Sequence, residues 1–295
     1  MGRSSIDFID YRFRTGFAYI DCVQGQLELT AKTASHTARA TTPTQRPLNV
    51  LLVTSDITYV PRNYADVFET LLERASEHIA GLVVLKEFSG GLIKRTAGLF
   101  ATGSTGLAGT LAGNMLGLLL KRRDKLFGPK QLPVKRATTM NSPKMCRWVR
   151  DQHIDLIINL RTRCIYKTPI LEAPRLGCLN VHHGLLPEYR GTLCDLFALS
   201  ENRPAGFTIH QITERVDAGR IFAKQTVSEP GEKDYLAYLA RTGQAEGKVL
   251  ARLIQQIAEH DALPPGEPNS CDQPVITRTP GPKELKALRA RGMVL

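Results

Sequence analysis

The chain is 295 residues long, 42% hydrophobic and 23% charged, a balance that supports a packed core and excludes a chain disordered throughout. Its formal net charge of +11 favours anionic partners such as phosphates, nucleic acid, polyglutamate tails or an acidic membrane surface, and the excess is spread along the chain. Six cysteines, at positions 22, 146, 164, 178, 194 and 271, form no CxxC pair and no zinc spacing with histidine, so free thiols in a reducing cytoplasm are expected and no metal is.

Residues 1 to about 46 differ in character from the rest of the chain. Asp7 to Phe13 is aromatic with strand character, and the Thr-, Ala- and Ser-rich run from Thr30 to Gln45 reads as linker. The segment lacks the charged-then-apolar order of a signal peptide and is expected to be an appendage without a fold of its own. Order begins at Leu48. The apolar run Asn49 to Thr54 predicts a buried strand, Tyr64 to His78 an amphipathic helix, and Gly81 to Leu85 a second strand, which together make a parallel βαβ unit. No G-x-G-x-x-G comes after the first strand, so the phosphate cradle of a dinucleotide-binding dehydrogenase is missing.

From Ala97 to Leu120 the sequence is uncharged and rich in small residues, with Lys94, Arg95 and Lys121 to Arg123 flanking it. Three readings stay open for this insertion, about residues 92–123. It is a helical segment packed on the sheet or in a homo-oligomer interface, a contact with a membrane surface, or a membrane span. Its glycines and threonines weigh against the span. Pro143 to His153 then predicts a helix, Asp155 to Leu160 a strand and Gly177 to His182 another. The fold class is therefore α/β, an open, doubly wound, mostly parallel sheet with ligands beyond the carboxyl ends of its strands. Residues 47–260 are expected to form one catalytic domain, Leu236 to Glu259 one or two helices, and 261–295 a C-terminal tail.

The chemistry concentrates at the end of the Gly177 to His182 strand. Asn180 and His182 lie two apart, so their side chains leave the same face just before the chain turns through His183-Gly184. The alternating strand Gly206 to Ile212 comes next and runs into Val216-Asp217-Ala218-Gly219, a turn signature. Taken singly, an Asn and a His at a strand end are more often turn-formers or satisfied polar residues than reactive groups. His210 reads equally as a partner that orients the reactive groups or as a packed histidine, and Arg190 as a loop brace or an acceptor contact.

Residues 155 to about 230 resemble the folate-dependent formyltransferases, the family of glycinamide ribonucleotide formyltransferase and of the methionyl-tRNA formyltransferase catalytic domain. The resemblance rests on Asn180-Val181-His182-His183-Gly184-Leu185-Leu186-Pro187-Glu188-Tyr189-Arg190-Gly191 and on Val216-Asp217-Ala218-Gly219, with Leu171 to Cys178 upstream. The family pattern has Pro or Gly where His183 stands and Ser where Gly184 stands. The resemblance implies a formyl transfer from 10-formyltetrahydrofolate to an amine, with no metal. Asn180 and a protonated His182 would stabilise the oxyanion, and Asp217 would raise the basicity of His182. It also places the pterin against Arg163, Cys164 and Ile165 on one side and Val216 to Gly219 on the other. Arg161 and Arg163 read either as contacts for the folate glutamate tail or as a solvated loop.

About seventy residues lie beyond Val227, fewer than the extra barrel of the methionyl-tRNA enzymes would require, so tRNA is disfavoured and a small-molecule amine is the expected acceptor. The alternatives are a 10-formyltetrahydrofolate hydrolase, a methionyl-tRNA formyltransferase-like enzyme and a non-catalytic binding protein of the same fold. A cytoplasmic location is expected, membrane-associated if residues 97–120 meet a lipid surface.

Overall fold

Strands buried on both faces read as continuous apolar runs, and β1 (Val50–Ser55) is such a strand, with all six residues buried. The computed structural model describes residues 46–86 and 90–295; the aromatic stretch and linker expected within residues 1–45 lie outside the described residues. After β1 come α1 (Ala65–Arg74) and β2 (Ile79–Leu85). The helix stops at Arg74, short of the expected His78, because Ala75 leaves helical geometry at φ −149°.

The uncharged run is divided between two helices, α2 (Gly90–Ala101) and α3 (Thr105–Leu119), which break at Thr102-Gly103-Ser104. Gly103 adopts φ +74° there. Arg289 donates to the Thr102 carbonyl at 2.9 Å, which satisfies a helix-end acceptor. Among the described residues no helix is long and apolar enough to cross a membrane. One face of α3 is packed, with Leu107, Ala108, Leu111 and Asn114 buried. Phe100, Leu116, Leu119 and Leu120 remain exposed.

The chain continues through α4 (Arg122–Phe127), β3 (Val134–Ala137), α5 (Pro143–Asp151) and β4 (Leu156–Leu160). Ser142 caps α5, its hydroxyl accepting from the Met145 amide at 3.2 Å, with Pro143 pre-set at the first helical position. Next come α6 (Thr168–Leu171), β5 (Cys178–His182), β6 (Tyr189–Gly191), α7 (Cys194–Ser200), β7 (Ala205–Gln211) and β8 (Ile221–Ser228). The chain closes with α8 (Tyr235–His260), β9 (Val275–Thr277) and α9 (Pro282–Ala290). Leu236 to Glu259 thus lies within one helix, capped by Asp234, whose carboxylate accepts from the Leu236 and Ala237 amides.

The seven-stranded sheet has the order β3-β2-β1-β4-β5-β7-β8. The first four pairings, from β3 to β5, are parallel; the β5–β7 and β7–β8 pairings are antiparallel, so β7 alone runs against the rest. This is the expected α/β fold with a mostly parallel sheet. Residues Val50, Leu52, Leu156, Ile158, Leu179 and Val181 point to the face covered by α1 and α8. Their neighbours Leu51, Val53, Ile157 and Cys178 point to the face covered by α5 and α6. A third core joins α3, α7 and α9, in which Leu285, Leu288, Met293 and Leu295 are buried. The segment after α8 also pairs β9 with β6.

Asn114 ties α3 to the loop after β1, its side-chain amide donating to the carbonyls of Thr58 and Val60, both at 2.9 Å. Asn114→Ala leaves two buried acceptors unmatched. It is expected to lower unfolding stability by about 2 kcal/mol in urea titrations with the denaturant slope unchanged.

Candidate active site

Strand register sets the first row of the site. In the parallel β4–β5 pair Asn159 lies opposite Asn180, and in the antiparallel β5–β7 pair Asn180 lies opposite His210. The three side chains therefore stand side by side on one face. Thr162 and Tyr166 hydroxyls donate to Asn159 Oδ1 at 2.7 and 3.3 Å, so Asn159 Nδ2 donates to Asn180 Oδ1 at 2.8 Å. Asn180 Nδ2 meets His210 Nε2 at 3.1 Å, and His210 Nδ1 meets the Gln211 carbonyl at 2.9 Å. Because a carbonyl only accepts, the His210 proton sits on Nδ1 and Nε2 takes the Asn180 hydrogen. The amide of Asn180 is thereby held in one orientation.

His182, two residues on, leaves the same face of β5. Its Nε2 donates to the Tyr189 carbonyl at 2.9 Å, which leaves Nδ1 facing Asp217 Oδ2 at 3.7 Å. Burial lowers the His182 pKa below 6.5, only partly countered by the charge of Asp217, so the resting imidazole is neutral. Burial works against the Asp217 carboxylate too. The Gly191 amide and the neighbouring His182 outweigh it and hold the carboxyl at about 2. That amide donates to Asp217 Oδ2 at 3.0 Å, and His210 Nε2 lies 3.6 Å from Oδ1.

Asp217 adopts φ +49°, a left-handed geometry that aspartate tolerates better than most residues. Asn269, from the segment after α8, clamps the turn by donating to the carbonyls of Asp217 and Gly219 at 3.0 and 2.9 Å. Gly191, at φ +105°, must be glycine: a Cβ there would lie 2.1 Å from the Thr277 carbonyl oxygen. A Cβ on Gly219 would meet the Gln211 carbonyl oxygen at 2.1 Å, so this turn packs flush on β7.

Asn180, His182 and Asp217 open onto a cavity of about 990 Å³. Arg163, Cys164, Ile165 and Val216 line the same cavity, as expected of them, whereas Gly219 is absent from its wall and acts through its backbone packing. Cys164 is a free thiol, like the other described cysteines 146, 178, 194 and 271. Arg190 braces the loop, donating to the Asn269 carbonyl at 3.1 Å. Asp217 is the sole acid among the described lining residues, against Arg95, Arg163 and Arg215, so the cavity suits an anionic ligand. Among the described residues no cluster of His, Cys, Asp and Glu has the makings of a metal site.

His183 points the other way. Adjacent residues at a strand end face opposite sides, and His183 enters a buried set of charges beneath the site. Its Nδ1 lies 3.1 Å from Asp195 Oδ2, and its Nε2 contacts the Glu246 carboxylate and lies 2.9 Å from Tyr64 Oη. Arg161, at φ +54° just after β4, pairs with Asp195 at 3.6 Å, and Tyr235 donates to Asp195 Oδ1 at 3.0 Å. Arg161 is therefore neither a solvated loop residue nor a free contact for a glutamate tail. Burial and the Arg161 charge press the His183 pKa down, but Glu246 and Asp195 outweigh them and raise it above 6.5. Burial opposes ionisation of Asp195 as well, yet His183 and Arg161 keep its pKa below the usual carboxylate value.

Asn159 and Asn269 were not singled out in the sequence. The first carried a signal, a polar residue inside the apolar run Leu156 to Leu160. The second carried none, because its role depends on a contact across 52 residues.

Residues 121–254 match the family model for formyl transferases. Methionyl-tRNA formyltransferase from Anaplasma marginale is 31% identical over 127 residues, 43% of this chain and 42% of that protein. The enzyme of the same name from Thiobacillus denitrificans is 31% identical over 135 residues, 45% and 43% of the two chains. The chain thus spans less than half the length of these curated relatives. Among solved structures, phosphoribosylglycinamide formyltransferase from Anaplasma phagocytophilum has a TM-score of 0.53 at 16% identity, over 79% of this chain and 100% of that one. A sugar N-formyltransferase from Shewanella sp. has a TM-score of 0.51 at 17% identity, over 82% and 87%. These likenesses establish a common Rossmann-like α/β fold.

His183→Leu leaves two buried carboxylates against one cation and is expected to cost about 3–5 kcal/mol of stability. In the unsubstituted chain the raised His183 pKa contributes stability that is complete below pH 6.5 and is lost as pH rises through the folded-state value. Urea unfolding across pH should show this alkaline loss, and His183→Leu should flatten it.

Proposed function

We propose that this chain is a folate-dependent formyltransferase, as its match to the formyl transferase family model and to methionyl-tRNA formyltransferases supports, and that it transfers the formyl group of 10-formyltetrahydrofolate to the primary amine of a small acceptor. One observation carries the reading: a neutral His182, an ionised Asp217 and an oriented Asn180 amide converge on one large cavity at the carboxyl end of β5. A cytoplasmic place in one-carbon metabolism goes with it.

The donor supplies an activated formyl carbon, and the cavity is large and cationic enough for its anionic tail. Arg163, Cys164, Ile165 and Val216 line the part assigned to the pterin. With one N–H of Asn180 given to His210, the second is available to the oxygen that becomes an oxyanion when an amine attacks. Nδ1 of His182 is the nitrogen with a free lone pair, so it takes the proton leaving the amine and returns it to the departing nitrogen. Asp217 stabilises the imidazolium in between. His182 is thus a base at rest and a charged donor only during turnover, which refines the expectation of a protonated histidine.

Purified protein mixed with 10-formyltetrahydrofolate and a panel of primary amines should release tetrahydrofolate only when an accepted amine is present. Release without any amine would indicate the hydrolase instead. His182→Ala and Asp217→Asn should each lower turnover by about 10²–10⁴-fold with the fold retained by circular dichroism. Activity should fall as pH drops through the His182 pKa, set below 6.5, because a protonated Nδ1 cannot accept the amine's proton. An acid limb at 6.5 or above, or near-normal turnover in either variant, would remove these roles.

A further inference from the structure

A second cavity, of about 460 Å³, lies beside the catalytic one. Tyr59, Arg95, Leu193 and Thr279 line both, so the two adjoin. Its wall is apolar: Leu99, Leu107, Leu196, Leu285 and Tyr235 are each buried in the core that joins α3, α7 and α9, yet all face this void. Protein interiors are close-packed, and an apolar void of this size is within the range of ligand sites rather than of packing defects.

Gly98 supplies an independent sign that the space is kept open. It lines the cavity from within α2, where glycine lowers helix propensity relative to alanine. Neither of the usual reasons for a helical glycine applies. A Cβ at this position would meet no atom within 4 Å, and the residue does not have the positive φ that would require glycine. A larger side chain at this position on the cavity wall would have room.

We infer that the second cavity receives an apolar chain carried by the acceptor amine. The chain lies among Leu99, Leu107, Leu196 and Leu285, and the amino group passes the junction at Tyr59 and Leu193 to reach His182. The inference rests on the formyl-transfer reading for what the amine does, but the cavity's preference for an apolar chain can be measured without turnover. Lys94 and Arg95 line the second cavity and are exposed, so the amine's carrier reaches solvent past cationic groups.

Titration calorimetry on the full chain with tetrahydrofolate present, using n-propylamine and n-decylamine, tests this. Burial of each methylene tightens binding by about fourfold, so decylamine should bind at least about 100-fold more tightly than propylamine. Gly98→Phe fills the cavity and should cut that ratio below about tenfold, and Gly98→Leu should lower it to a lesser extent. Equal affinities for the two amines, or a ratio untouched by both substitutions, would overturn the inference. Formyl transfer to neither amine would count against the catalytic reading while leaving the cavity assignment standing. Transfer to both with no preference in binding would do the reverse.

Discussion

A guanidinium, an imidazole and two carboxyl groups are buried together beneath the end of β5, and their mutual compensation holds the site's elements in place. Arg161 comes from the end of β4, His183 from the end of β5, Asp195 from the start of α7 and Glu246 from the middle of α8. Burying any one of these charges alone would cost several kcal/mol, so the set is stable only when all four elements dock at once. Tyr64 and Tyr235 complete it from the segments before α1 and at the start of α8. A buried network of this kind adds little net stability over an apolar core. Its effect is geometric: the turn after His182 is fixed because its next residue is locked to two partners.

That constraint gives the neighbouring histidines different jobs. His183 is held charged on the α8 side, and His182 is held neutral on the cavity side, although they are adjacent in sequence. The family pattern has Pro or Gly in place of His183; here that position anchors the turn through its pairing with Asp195 and Glu246. The Asp217 turn is fixed separately, by Gly191 from one side and by Asn269 from the segment after α8. Residues that look peripheral in the sequence thus hold the carboxylate that faces His182.

The sheet was legible because its central strands are buried on both faces and appear as short apolar runs, as Val50 to Thr54 and Leu156 to Leu160 do. That Asn180 and His182 share a face was legible because spacing within a strand fixes it; Asp217 stood out only by its turn signature and by the resemblance. The row Asn159–Asn180–His210 was not, since it depends on the register between three strands, which no single segment specifies. The pairing of His183 with Glu246 spans 63 residues and was equally hidden. The uncharged run at 97–120 left three readings, and composition alone could not choose among them. A left-handed turn at Gly103 breaks it into two helices, each too short to span a bilayer.

Under the proposed function the chemistry comes down to one transfer, from a folate nitrogen to an amine nitrogen, run by a neutral histidine under a fixed carboxylate. The most direct test traces the carbon itself. With donor labelled by carbon-13 in the formyl group and an accepted amine present, nuclear magnetic resonance should show the label appearing as a formamide on the amine, in step with tetrahydrofolate. Label appearing as free formate, or remaining on the donor with every amine tried, would contradict formyl transfer to an amine.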